Sequence, residues 1–217
     1  MNYLSIDCAN KSLAIGFYVL HIDNWKQNLL LILKNKNYFK EEKIKKAHEF
    51  LDNIIEIKFL KLIDLIPNKK VKNTSIIERT QSLYKHIEEI KNNIESDIKK
   101  KEHINVFIEY QMGPNDKSRG VFNQLIYAFS NTDLYNIKII TPTLKNQIYF
   151  TDELKHCRIL KRYNSVYTAN KVHCKENFLY FLKLFNKEKY INNISKKNID
   201  DVADTFMQMI GQLKLGK

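Results

Sequence analysis

The chain opens Met1-Asn2-Tyr3-Leu4-Ser5-Ile6-Asp7, where Leu4 and Ile6 alternate with Tyr3, Ser5 and Asp7. That alternation is the two-residue period of a strand. The strand ends on a carboxylate, and an acid beside a core strand is costly unless it is paired, solvated or bound to a metal. A second apolar run, Leu13 to Leu20, follows at once, and Cys8 to Ser12 is about the length of a hairpin connection. The chain thus begins with a hairpin that delivers Asp7 to a sheet, and the remaining sequence must supply partners for that acid.

Further along, the run Ile54 to Leu62 reads as a strand, and Pro67-Asn68-Lys69-Lys70 as a turn. Thr74 to Ser96 has apolar residues at helical spacing (Leu83, Ile87, Ile90, Ile94), with Thr74 or Ser75 able to cap it. Ile104 to Gln111 is a short apolar run and reads as a buried strand carrying a second acid, Glu109. After the loop Met112–Gly120, Val121–Ser130 reads as a helix and Ile137–Thr141 as a strand. Strand, helix, strand is a βαβ unit, so these two strands are expected to be parallel. Ala169–Phe185 and Ile199–Leu215 complete the helices. The stretch 143–164 is basic and has no clear period. Residues 23–52 read as an insertion, with an ambiguous Leu29–Leu33 run and a helix over Glu41–Asp52 whose apolar face is Ile44, Ala47 and Leu51. No repeat or linker divides the chain, so residues 1–217 are expected to form one domain.

The third group of acids opens the last helix, in Asp200-Asp201-Val202-Ala203-Asp204. Asp201 and Asp204 share a face beside the apolar stripe, as Asp200 and Asp204 can. Helix-dipole chemistry explains acids in the first turn, but it fades before Asp204. Acids gathered from two strands and a helix repel unless a cation sits among them. Oxygen-only ligands suit Mg²⁺ or Mn²⁺, and two such ions can promote in-line attack on a phosphodiester. The formal charge of +12, from 36 Lys+Arg against 24 Asp+Glu, adds the prospect of a polyanionic partner. An AT-rich genome yields the same excess of Asn, Ile and Lys, so the charge supports this reading without carrying it.

These pieces resemble the RuvC-type, ribonuclease-H-like Holliday junction resolvases, especially the branch from poxviruses and other large DNA viruses. The matching segments are Leu4-Ser5-Ile6-Asp7 with Ala14-Ile15-Gly16, Val106 to Gln111, Asp200 to Asp204, and the basic stretch Tyr167 to Lys175. The resemblance implies an α/β fold: a ribonuclease-H-like mixed sheet, its first strands antiparallel and its later strands parallel, flanked by helices. It implies Asp7, Glu109, Asp201 and Asp204 as catalytic residues and as ligands of two Mg²⁺ (or Mn²⁺) ions. It also implies a homodimer that resolves branched DNA, the four-way junction, by paired symmetric nicks in viral recombination and concatemer processing. Cys8-Ala9-Asn10 departs from the family, where a Gly-containing turn is commoner, and so does the insertion at 23–52.

Lys117 and Arg119 in the loop after Glu109, and Lys171 and Lys175 four apart on a helix, are candidates for nucleic-acid binding. Ordinary polar loops and solvated helix faces explain them about as well. Tyr110, Tyr163 and Tyr167 could stack on bases, though core or rim packing is the preferred reading. The pairs His156-Cys157 and His173-Cys174 lack the usual zinc spacing. No P-loop, G-x-G-x-x-G or G-x-S-x-G is present, so no small-molecule cofactor is expected. Three cysteines, no apolar run long enough to cross a membrane and no signal-peptide pattern point to an intracellular, non-secreted protein. For a viral protein the expected place is the host-cell site of viral DNA replication, in the cytoplasm. Two alternatives stand beside the resolvase: an RNA–DNA hybrid nuclease of the same fold, and a non-catalytic basic DNA-binding protein.

Overall fold

The computed structural model describes residues 1–9, 11–21, 37, 40–98, 102–110, 116–147 and 165–215. Among these, five strands form one sheet: β1 (Asn2–Cys8), β2 (Ser12–Leu20), β3 (Ile55–Asp64), β4 (Ile104–Glu109) and β5 (Tyr135–Ile140). Their order across the sheet is β3-β2-β1-β4-β5. The β1–β2 and β2–β3 pairs are antiparallel, and the β1–β4 and β4–β5 pairs are parallel. This is the expected mixed sheet, opened by the expected hairpin. The helices are α1 (Lys40–Ile54), α2 (Ile76–Asp97), α3 (Asp116–Ser130), α4 (Val166–Leu184) and α5 (Ile199–Leu215). Among the described residues, no helix is long and apolar enough to cross a membrane.

Two apolar layers cover the two faces of the sheet. On β1, Leu4, Ile6 and Cys8 pack with residues of α2 and α3, whereas Tyr3 packs with residues of α4 and α5. The strand period therefore places Ser5 and Asp7 on the α4/α5 side. On β4, Val106 and Ile108 join the first layer and Phe107 the second, so Glu109 shares the side of Asp7. The last β1–β4 pair is Ile6 with Ile108. Asp7 and Glu109 thus leave neighbouring parallel strands side by side.

Local chemistry sets the element ends. Ser75, of the two candidates, caps α2: its side chain accepts from the Glu78 amide while the Glu78 side chain accepts from the Ser75 amide. Ser165 caps α4, starting it three residues before the expected Ala169. Helix α3 starts at Asp116, not Val121, and takes in Lys117 and Arg119, which the sequence places in a loop. Its first turn is polar and lacks an apolar period, but Gly120 lets it lie close to α2. A Cβ there would meet Ile76 Cγ2 at 3.1 Å. Much of the proposed insertion, including Leu29–Leu33, lies outside the described residues, as do the side chains of Ile44, Ala47 and Leu51.

Candidate active site

The site lies at one end of the sheet, where β1 and β4 finish and α5 begins. Along α5, Asp201, Asp204 and Gln208 follow one another at spacings of three and four, beside the apolar stripe Val202, Phe206, Met209. Tyr18 holds α5 to the sheet: its hydroxyl lies 3.1 Å from Thr205 Oγ1, in a buried contact. The Tyr18 ring lies where a side chain on Gly16 would go, since a Cβ at 16 would come within 2.1 Å of the Tyr18 hydroxyl. Glycine is required at 16 by this close approach.

Asp7, Glu109, Asp201 and Asp204 share one electrostatic neighbourhood. Burial raises the Asp7 carboxyl well above the usual carboxylate range; the charges of Glu109, Asp204 and Asp201 add to this, and Lys145 opposes it. Asp7 keeps some solvent access at its edge, yet its carboxyl is closely surrounded. Asp204 is buried, and burial raises its carboxyl despite the attraction of Lys145.

Two lysines neutralise part of this charge. Lys145 is buried and donates to Glu109 Oε2 at 2.8 Å and to Asp204 Oδ2 at 2.6 Å. Burial works against its charge, but Asp204, Asp7 and Glu109 outweigh that and raise it. Lys171 donates to Asp200 Oδ2 at 3.1 Å and to Asp201 Oδ1 at 3.0 Å. Burial opposes its charge too, and Asp201 and Asp200 again outweigh it. That Lys145 is held charged while Asp204 is still raised is no conflict, because one ammonium serves three carboxylates. Among the described residues, five carboxylates face two ammonium groups here. The buried Cys174 thiol lies against the Asp204 carboxylate, and burial together with that carboxylate raises the thiol well above its ordinary value.

Lys145 was not singled out by sequence. It sits in a 3-10 turn, Leu144–Gln147, within the basic stretch 143–164 that has no clear period. The signal was topological: β5 is parallel to β4 and β1, so the turn after β5 emerges at the end of the sheet that holds the acids. Gln208 was also missed. It donates through Nε2 to Glu109 Oε2, and its Oε1 accepts from Ser5 Oγ at 3.1 Å.

The structure places the other candidates as follows. Lys171 does not lie on a solvated face; it bridges Asp200 and Asp201, which also gives Asp200 a partner. Lys175 Nζ donates to the Lys196 carbonyl at 3.1 Å, away from the acids. Arg119 lies exposed on the first turn of α3, and the side chain of Lys117 is outside the described residues. Tyr110 and Tyr167 are not core residues: they are 45% and 68% exposed. Tyr110 follows the last residue of β4 and packs edge-on against Phe122, 5.8 Å between ring centres, and Tyr167 lies in the first turn of α4. Tyr167 lies under the Lys171 ammonium, 5.7 Å from ring centre to Nζ. Tyr163, His156 and Cys157 are outside the described residues. His173 lies near the Asn177 side chain, and Cys174 Sγ packs against the turn of Lys145, 3.6 Å from Asn146 Oδ1.

Among the described residues, no three acids, histidines or cysteines are spaced as a ready cation cage. The carboxylates gathered here nevertheless suit a hard divalent cation, because they offer only oxygen donors and among the described residues outnumber the ammonium groups beside them.

No protein-family profile matches the chain, and no curated protein does. Solved structures do. RuvC of T. thermophilus, in complex with Holliday junction substrate, matches with a TM-score of 0.52 at 9% identity, covering 100% of this chain and 97% of that one. Fowlpox virus resolvase, in complex with substrate Holliday junction DNA, matches with a TM-score of 0.52 at 14% identity, covering 100% of both chains. The chain has the ribonuclease-H-like fold of RuvC and of this poxvirus resolvase.

Proposed function

We propose that the protein is a metal-dependent endonuclease that resolves four-way DNA junctions. The observation that carries this reading is the gathering of Asp7, Glu109, Asp201 and Asp204 at one end of the sheet, where among the described residues only Lys145 and Lys171 oppose their charge. The shared fold with two junction-bound resolvases supports the choice of substrate. Asp7, Glu109, Asp201 and Asp204 would hold two Mg²⁺ or Mn²⁺ ions, which when bound supply positive charge at the attacking and leaving oxygens of a phosphodiester. The carboxylates orient the attacking water in line with the phosphorus. Lys145 holds Glu109 and Asp204 together by donating to both. Lys171, resting on Asp200 and Asp201 beside the exposed Tyr167, is placed to exchange carboxylate for phosphate as the strand arrives. Arg119 and Lys175 would contact the DNA arms, and Lys117 is proposed beside them from its place in the sequence.

Paired symmetric nicks require two such sites, so the working form is a homodimer whose two-fold axis matches that of the junction. The biological setting is viral recombination and the cutting of concatemers, at the site of viral DNA replication in the host cytoplasm. Each chain forms one resolvase domain that includes the insertion at 23–52.

The test compares a synthetic four-way junction, a linear duplex of the same sequence and an RNA–DNA hybrid, each with Mg²⁺. Paired nicks confined to the junction are expected. Preferential cutting of the hybrid would point to the hybrid nuclease instead. Salt-sensitive binding without cutting of any substrate would leave a non-catalytic DNA-binding protein.

A further inference from the structure

We propose that Gln208 and Ser5 are positioning residues for Glu109, forming a buried relay that fixes which carboxylate oxygen the strand end offers to the site. The proposal rests on the endonuclease reading above. Ser5 lies on β1, two residues before Asp7 and on the same side of the sheet. Gln208 lies on α5, one turn after Asp204. Both are fully buried, and Glu109 is nearly so. The Ser5 hydroxyl donates to Gln208 Oε1 at 3.1 Å, and Gln208 Nε2 donates to Glu109 Oε2.

The two ends of the relay agree. A side-chain amide has one donor end and one acceptor end. Turned by half a circle, the Gln208 amide would set its oxygen against a carboxylate oxygen and its NH₂ against the Ser5 hydroxyl. The Glu109 carboxylate, an acceptor, therefore selects this orientation, and the Ser5 hydroxyl, able to donate or accept, donates to the amide oxygen turned toward it. Lys145 Nζ donates to that same Oε2 at 2.8 Å. With both donors on Oε2, the Glu109 side chain is held from one side, and among the described residues no donor is seen on Oε1, which is left for what enters the site. A buried glutamine on a core-facing stripe is costly unless its bonds are made. Valine or leucine would fill position 208 more cheaply, so the amide is explained by what it does to Glu109. Outer partners of ligating carboxylates typically matter by about 10–100-fold.

The test uses the full chain as Gln208→Met, Ser5→Ala and the double variant. Methionine keeps the length and apolar stem of glutamine without the donor. Cleavage of a four-way junction is read as kcat and KM separately, and Mn²⁺ binding without DNA is read by titration calorimetry. Expected for Gln208→Met are a kcat lower by about 10–100-fold, a KM within about two-fold, and Mn²⁺ binding weaker by about 10-fold. Ser5→Ala should lose less, and the double variant should be no worse than Gln208→Met alone, because Ser5 acts through Gln208. Wild-type kcat and Mn²⁺ affinity in Gln208→Met would overturn the proposal, as would purely additive losses. If the wild type cuts no junction yet Gln208→Met still weakens Mn²⁺ binding, the relay stands and the endonuclease reading falls. Should Gln208→Met fail to fold, Gln208→Asn, which withdraws the amide by one methylene, carries the same test with the same expected losses.

Discussion

Replacing Asp7 with asparagine should make the metal-free protein more stable while removing its activity. Asp7 is raised by burial first and then by three neighbouring carboxylates, with Lys145 as the opposing charge. Among the described residues no hydrogen bond to its carboxylate offsets that burial. Asparagine has nearly the same shape and no charge, so the substitution removes repulsion and leaves no cavity. Relief of such local strain is commonly worth about 1–2 kcal/mol. For a chain of this size that is about 2–8 °C in Tm. The pH dependence follows from the direction of the shift. A carboxyl raised in the folded state binds its proton more tightly there than in the unfolded chain. The wild type therefore loses stability as pH rises from the ordinary carboxylate range through the raised value. The gap between Asp7→Asn and wild type should widen as pH rises through the raised value and shrink as pH falls toward the ordinary carboxylate range. Thermal melts of both proteins in EDTA, at several pH values, measure it. An Asp7→Asn protein less stable than wild type at neutral pH, or a gap that widens on acidification, would refute the reasoning.

Three further outcomes follow from the same geometry. Lys145→Met should destabilise the metal-free protein by about 3–5 kcal/mol in urea unfolding, because it strands Glu109 and Asp204 without their shared cation; added Mg²⁺ should recover part of the loss. The Lys145 and Lys171 ammonium groups are raised in the folded state. Their contribution is therefore complete below the ordinary lysine value of about 10.4 and is lost only as pH climbs through the raised values, so alkaline melts should show no loss from these pairs up to about pH 10. Gly16→Ala should cost about 1–3 kcal/mol by displacing the Tyr18 ring and its contact with Thr205, read as a lower urea midpoint.

The parts of the fold written in local periods were legible in the sequence. The alternation of Leu4 and Ile6 with Ser5 and Asp7 marked β1, and the threes and fours of Val202, Phe206 and Met209 marked α5. The acids stood out because each breaks an apolar pattern at the end of an element. The cations did not. In a chain with 36 Lys+Arg, a lysine in a stretch with no clear period has no local mark. What distinguishes Lys145 is its place after β5: the βαβ pattern already made β4 and β5 parallel, but the pairing of β4 with β1, which sets that turn beside Asp7, comes from the assembled sheet. Gln208 was hidden for a related reason. On a helical wheel it reads as a polar break in the stripe, and its meaning comes from Ser5 and Glu109, which lie far away in sequence. The first turn of α3 escaped because it has no apolar period, and its packing rests on the absent side chain of Gly120.

The central claim is that these carboxylates hold divalent cations to cut a DNA junction. Its most direct test is the rate of nicking of a synthetic four-way junction by the wild type, Asp7→Asn and Glu109→Gln, in Mg²⁺ and again after EDTA. Symmetric nicks are expected from the wild type in Mg²⁺ alone, and none above background from either variant. Nicking at the wild-type rate by Asp7→Asn and Glu109→Gln, or undiminished nicking in EDTA, would contradict it.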